Sequence, residues 1–231
     1  MSYACPPLTK STSGIATRAQ LAAPPGGVAI LHPAYVTSSP VTLVGKRRMG
    51  QRPPRSSMWA SLWGESFVLR NAKTNDPVFK LHRGGIFSDT TLSDATSGAT
   101  LAILRRPFLA FSHCQQVLTP LWKKHFEITP YVTWSGSDTL DCEVVDAVTG
   151  QRHHFDVQGK CISHALVITC DGSPVAEMWK PKDVRSNLYH VLVTPGVDLA
   201  FIVLLCTTLD AVTETASPEE EETHRRWSTV I

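Results

Sequence analysis

Lys46, Arg47, Arg48, Arg52 and Arg55 lie close together and are followed at once by Met58, Trp59, Leu62 and Trp63. Clustered cations attract anionic lipid head groups at about 1 kcal/mol each near the surface. Tryptophan favours the interfacial layer beside those head groups. On a short helical turn Met58, Trp59, Leu62 and Trp63 share one side. The segment therefore offers a site for anionic membrane lipid made of Lys46, Arg47, Arg48, Arg52, Arg55, Trp59 and Trp63. The other reading of the same residues is a solvated basic loop whose tryptophans open the next strand and pack into the core. Two further basic pairs, Arg105-Arg106 and Lys123-Lys124, fall near strand ends, where cations ordinarily guard against edge-to-edge aggregation.

Other chemistries find less support. Cys161 and His164 are spaced like metal ligands, with His153, His154 and Cys170 nearby, but zinc needs converging donors. If residues 162–170 form a strand, positions 161 and 164 point to opposite faces, so no metal is expected. There is no G-x-S-x-G, phosphate-binding loop or dinucleotide glycine pattern. Asp138, Asp141, Glu143 and Asp146 are expected to line one strand's exposed face and turn. No enzyme and no cofactor are therefore expected. The 22 Lys and Arg nearly balance the 20 Asp and Glu, and no nucleic-acid partner is expected.

The opening MSYACPPLTKSTSG shows no apolar leader core. The six cysteines are scattered, which fits reduced thiols in an intracellular, cytoplasmic chain, peripheral at membranes if it meets them. Ser2 replaces the glycine that myristoylation needs, and no prenylation cysteine stands at the end. Cys5 is read as a free thiol.

These residues must be positioned by short extended runs. Residues 1–27, rich in Ser, Thr, Ala and Pro, read as a disordered lead-in. From Val28 the pattern alternates. Strands are expected near Thr42–Lys46, Ser66–Arg70, Val78–His82, Ile86–Ser88, Thr100–Arg105, His125–Thr129, Leu140–Asp146, His153–Gln158, Ile162–Cys170, Val175–Trp179 and Tyr189–Val193. Turn chemistry punctuates them at Asn75-Asp76-Pro77, Thr96-Ser97-Gly98, Thr149-Gly150 and Asp171-Gly172-Ser173-Pro174. This spacing favours an antiparallel barrel or sandwich.

The run TPGVDLAFIVLLCTTLDAV, residues 194–212, breaks the pattern. It reads as a helix with apolar residues on every side, capped by Asp198 after Pro195-Gly196. Such a helix must be enclosed. About 15 residues at 1.5 Å each span roughly 22 Å, short of the roughly 30 Å of a bilayer core. The strands are the available sheath. With the helix inside, no interior ligand cavity is expected. Asp210, near the helix end, is placed at the barrel mouth. Residues 28–213 thus form the barrel unit, and 214–231, with Glu219–Glu222 followed by Arg225 and Arg226, form a charged tail.

The segments VTLVGKRR, SFVLRNAKTNDPVFKLHRG and SDTTLSDATSGATLAILRR, with the terminal PGVDLAFIVLLCTTLDAV, resemble the LURP-one-related family over roughly residues 34–212. The resemblance implies a mainly β, tubby C-terminal-like fold, related to that of phospholipid scramblases: a closed antiparallel barrel of about twelve strands enclosing a C-terminal hydrophobic α-helix. It implies a non-enzymatic module that binds anionic membrane lipid, since tubby domains bind phosphoinositides. Its stress- and defence-response associations imply the alternative, a protein-interaction scaffold that binds no lipid. The Gly45–Gly64 loop is longer than the family pattern, and residues 112–121 do not align readily. The scramblases' cysteine cluster and acidic calcium segment are not recognisable, so scrambling is not carried over.

Overall fold

A computed structural model of the chain describes residues 20–46, 65–84, 89–106, 114–132, 138–160, 165–179 and 188–215. The strands are β1 (Val41–Lys46), β2 (Glu65–Asn71), β3 (Pro77–Arg83), β4 (Thr90–Asp94), β5 (Thr100–Arg105), β6 (Gln115–Leu118), β7 (Lys124–Val132), β8 (Asp138–Val145), β9 (Arg152–Lys160), β10 (Ala165–Cys170), β11 (Ser173–Trp179) and β12 (Leu188–Val193). Each pairs antiparallel with the next, and β1 closes on β12 from Val41↔Val193 to Lys46↔Leu188. Closure satisfies both would-be edge strands.

Side chains alternate as the pleat requires. On β3, Phe79 and Leu81 are buried while Lys80 and His82 are exposed; on β10, Leu166, Ile168 and Cys170 point inward. A barrel of eight strands can be filled by its own side chains, whereas one of about 16 leaves a channel. Twelve strands fall between, and the interior takes a helix of about 10–12 Å diameter.

That helix is α1, Leu199–Thr215. Ala200, Phe201, Ile202, Leu204 and Leu205 are fully buried. Phe201 packs edge-on against Phe155 at 4.7 Å and Phe126 at 5.6 Å between ring centroids. The threonines hide their hydroxyls by donating back to the helix: Thr207 Oγ1 to Val203 O at 2.7 Å and Thr208 Oγ1 to Leu204 O at 3.0 Å. Among the described residues, no helix is long and apolar enough to cross a membrane.

The turn into α1 depends on Gly196, whose φ of +80° suits glycine. Its carbonyl accepts the Val28 N–H at 2.7 Å, bringing the N-terminal segment against the helix start. Ala22 also donates to Pro174 O on β11, at 2.8 Å.

The strands read from sequence are present wherever they are described, with ends shifted by a few residues. The expected strand at Ile86–Ser88 lies outside the described residues, and β4, at Thr90–Asp94, matches none of the runs read from sequence. β6 was not legible: QQVL is four residues long, and Gln115 is buried where alternation predicts an apolar side chain. The turn expected over residues 171–174 is only Asp171-Gly172. Ser173 and Pro174 already pair with Cys170 and Thr169, across a register shift after Ile168 that accommodates the missing proline N–H.

Candidate functional site

The connections divide by end. At the end where α1 starts, the turns after β2, β4, β6, β8 and β10 are short and described. At the other end the chain leaves β1 at Lys46 and enters β2 at Glu65. Of the basic-aromatic residues singled out from sequence, only the Lys46 backbone is described; Arg47, Arg48, Arg52, Arg55, Met58, Trp59, Leu62 and Trp63 lie outside the described residues, as does the Asp210 side chain.

Of the remaining basic pairs, Arg105 meets the turn that leads into Lys123, an element the sequence did not reveal. The β6–β7 turn is fixed by Trp122 N–H to Thr119 O at 2.9 Å, Thr119 N–H to Lys123 O at 2.8 Å and Lys123 N–H to Thr119 Oγ1 at 3.3 Å. It presents Leu121, 89% exposed, and Trp122, 57% exposed, to solvent. The Arg105 guanidinium lies 4.9 Å from the Trp122 ring centroid, a cation–π contact. Arg105 also grips Asp89 with two bonds, at 3.2 and 2.9 Å. Lys123 is exposed, and Lys124 pairs with Glu127 at 2.7 Å. β6 is short enough for the turn after Leu118 to fold up beside Arg105, whose strand partner is Gln116.

The acidic group around β8 separates into different roles. Asp146, expected in an exposed turn, is buried. Its Oδ2 accepts from Ala29 N–H at 2.7 Å, and its Oδ1 from Val148 N–H and Thr149 N–H at 2.8 and 2.6 Å. This correction has a plain cause: beyond its local turn bonds, the N-terminal segment lies on the turn, with Ala29 bonded to Asp146 and the Ala147 N–H donating to Ala29 O at 2.7 Å. Asp141 is exposed and lies 3.1 Å from His154 Nε2. Glu143 is also exposed, and the Asp138 side chain is outside the described residues.

Cys161 and His164 lie outside the described residues, but their neighbours assemble a different group. His153 Nδ1 is 2.8 Å from Asp171 Oδ2, and the Cys170 Sγ is 3.9 Å from His153 Nδ1 and 3.8 Å from Asp171 Oδ2. Burial, reinforced by the Asp171 charge, pushes the Cys170 thiol up to about 12. Burial opposes ionisation of Asp171, yet the His154 N–H, His153 and the Cys170 thiol together hold its carboxyl below the ordinary range. Cys142 is likewise buried, its thiol pushed up to about 12 by burial and then by Asp141 and Glu143.

The interior is not completely filled. A half-open pocket of about 90 Å³ lies between α1 and the surrounding strands, bordered by Gly45, Leu69, Arg83, Val191, Val203 and Cys206. Leu69 packs directly over Gly45, where an added Cβ would lie 2.9 Å from its Cδ2. The pocket is smaller than the roughly 150 Å³ in which an engineered apolar cavity holds benzene.

This architecture has a counterpart in an X-ray structure of an Arabidopsis thaliana protein, matched at 20% identity and a TM-score of 0.57 over 81% of this chain and 99% of that one. At that identity the likeness speaks for the fold. No curated protein matches the sequence. The LURP-one-related family model matches residues 55–210, from the approach to β2 into α1 and well over half of the 231 residues. With the twelve-strand barrel closed around its helix, this match assigns the chain to the LURP-one-related family.

Proposed function

We propose that this protein is a non-catalytic module that docks on membranes carrying anionic lipid. The observation that carries the reading is the exposed Leu121–Trp122 pair, held rigidly beside Arg105, Lys123 and Lys124. One exposed leucine is ordinary. Adjacent leucine and tryptophan on a hydrogen-bonded turn, with Arg105 against the Trp122 ring and the exposed Lys123 next in the chain, match what an interfacial anchor needs: apolar groups to enter the head-group layer and charge to hold it there.

The segment between β1 and β2, which joins the barrel at the end opposite the β6–β7 connection, carries the same residue types in greater number and is a second, separate contact, with Lys46, Arg47, Arg48, Arg52 and Arg55 as the cations and Trp59 and Trp63 as interfacial groups. A phosphoinositide is the favoured head group because it concentrates several negative charges on one lipid, and family resemblance to tubby domains points the same way.

The test is sedimentation with vesicles of neutral lipid, with and without a few per cent phosphoinositide, across a salt series. Wild-type protein is expected to bind the anionic vesicles, less so as salt rises. Changing Arg47, Arg48, Arg52 and Arg55 to Ser, or Leu121 and Trp122 to Ser, is expected to weaken binding separately. Unchanged binding by either variant removes that element from the site. If wild-type protein fails to bind at low salt, the reading is overturned in favour of a protein-interaction scaffold.

A further inference from the structure

We propose that His153, Cys170 and Asp171 bind a borderline-soft divalent cation, with Zn(II) the ion best suited to the donors. This inference is independent of the lipid reading and concerns the opposite end of the barrel from Lys46.

The geometry is the argument. The three donor atoms form a triangle with sides of 2.8, 3.9 and 3.8 Å. A point equidistant from them lies about 2.1 Å from each, within the roughly 2.0–2.3 Å range of zinc bonds to oxygen, nitrogen and sulfur. An ion fits among the donors with little movement of the chain.

The donors are also preset by the sheet. His153 stands on β9 and Cys170 at the end of neighbouring β10, both on the inward face. Asp171 follows in the tight turn, with φ of +50° and Gly172 at +81°. Its backbone N–H donates to His154 O at 2.8 Å, and its Oδ1 accepts from His154 N–H at 2.9 Å. That second bond orients the carboxylate and leaves Oδ2 for the ion, as outer-shell partners do around metal ligands.

The donor set decides the class of ion. One sulfur, one imidazole nitrogen and one carboxylate oxygen disfavour magnesium and calcium, which take oxygen shells. The His153 side chain is only 12% exposed, while that of Asp171 is 53% exposed. The fourth position therefore faces the Asp171 side, where water completes a tetrahedral shell. On binding, the Cys170 thiol gives up its proton to solvent, and His153 takes the neutral tautomer with its proton on Nε2, which leaves Nδ1 free for the cation.

Cobalt(II) titration of the untagged, reduced full chain tests this. One equivalent is expected to give the near-ultraviolet absorption of a cobalt–thiolate bond, and zinc(II) is expected to abolish it by displacement. Cys170→Ser is expected to remove the absorption and Cys161→Ser to leave it. His153→Gln is expected to weaken binding about tenfold or more, at least the loss seen when an outer-shell partner is removed. Absence of the absorption in the wild-type chain, or its survival in Cys170→Ser, overturns the site. Should Cys170→Ser fail to fold, the partly solvent-facing His153→Gln decides: unchanged cobalt affinity refutes the proposal, and a tenfold loss upholds it.

Discussion

Asp146 and Asp198 hold consecutive residues of the same backbone stretch. Asp146 Oδ2 accepts the N–H of Ala29, and Asp198 Oδ2 accepts those of Ile30, Leu31 and His32 at 3.1, 2.7 and 3.1 Å. The other oxygen of Asp198 caps α1 through Ala200 and Phe201 N–H at 2.9 and 3.2 Å. One turn carboxylate and one helix cap thus fasten the N-terminal segment across the barrel end where the helix begins.

Asp198→Asn keeps the size of the side chain but leaves one oxygen where two served five N–H groups. Its amide NH₂ must then face donors. Each buried unsatisfied group costs about 1–3 kcal/mol, so a loss of roughly 3–5 kcal/mol is expected, against about 1–3 kcal/mol for Asp146→Asn. Urea unfolding measures both, with the midpoint moving at constant slope. A loss below about 1 kcal/mol for Asp198→Asn is incompatible with this role.

Packing around α1 makes two predictions of opposite sign. Phe201→Ala removes the ring that meets Phe155 and Phe126 and is expected to cost about 3–5 kcal/mol. Val203 borders the pocket, so Val203→Ile places a methyl group in vacant space and is expected to stabilise by about 0.5–1 kcal/mol. Calorimetry of the two variants should show melting points on either side of the wild-type value.

Acid stability follows from the carboxylates. The Ser97 backbone N–H and hydroxyl, with the Tyr35 O–H, hold the Asp94 carboxyl below its ordinary 3.8. Burial opposes the same shift in Asp146, but the N–H groups of Thr149, Ala29 and Val148 prevail. A depressed carboxyl contributes stability that is present above 3.8 and lost as pH falls through its lower folded value. Asp198 has the opposite sign. Burial raises it against its five hydrogen bonds, so its linked stability is full below 3.8 and declines as pH rises through the raised value. The melting temperature is expected to fall from about pH 4 downward, and Asp94→Asn to make that fall shallower. Equal acid slopes for the variant and wild type would contradict the assignment.

Trp122 offers a way to separate anchoring from folding. Its φ of +62° is uncommon for a bulky side chain, and left-handed backbone costs roughly 1–2 kcal/mol outside glycine. Trp122→Gly relieves that strain while removing the ring and its contact with Arg105. Thermal stability is expected to stay level or rise, while binding to anionic vesicles falls. A large drop in melting temperature would show that the ring serves packing instead.

Periodicity and length made the barrel and its helix legible. Thr100–Arg105 is a short apolar run bounded by a Gly-containing turn and a basic pair, and was placed to the residue, and the apolar run containing Phe201 has no polar face to leave in water. Asp198 was recognisable as a cap because a cap bonds to its own next turn. Its bonds to Ile30, Leu31 and His32 were not, since those partners stand more than 160 positions away. Asp146 looked like a surface carboxylate because the segment that covers it, at Ala29, stands 117 positions away. β6 has too few residues to display a period.

The candidate sites divide along the same line. The cations and tryptophans of residues 46–63 are a local cluster, visible as composition. The Arg105–Trp122 contact and the His153–Cys170–Asp171 triangle join side chains 17 and 18 positions apart. The sequence by itself determined which segments alternate and which run must be enclosed, because both follow from the spacing of apolar residues along one chain. Tertiary structure alone decided which polar groups meet, because strand register and turn geometry set the distances between residues on neighbouring elements.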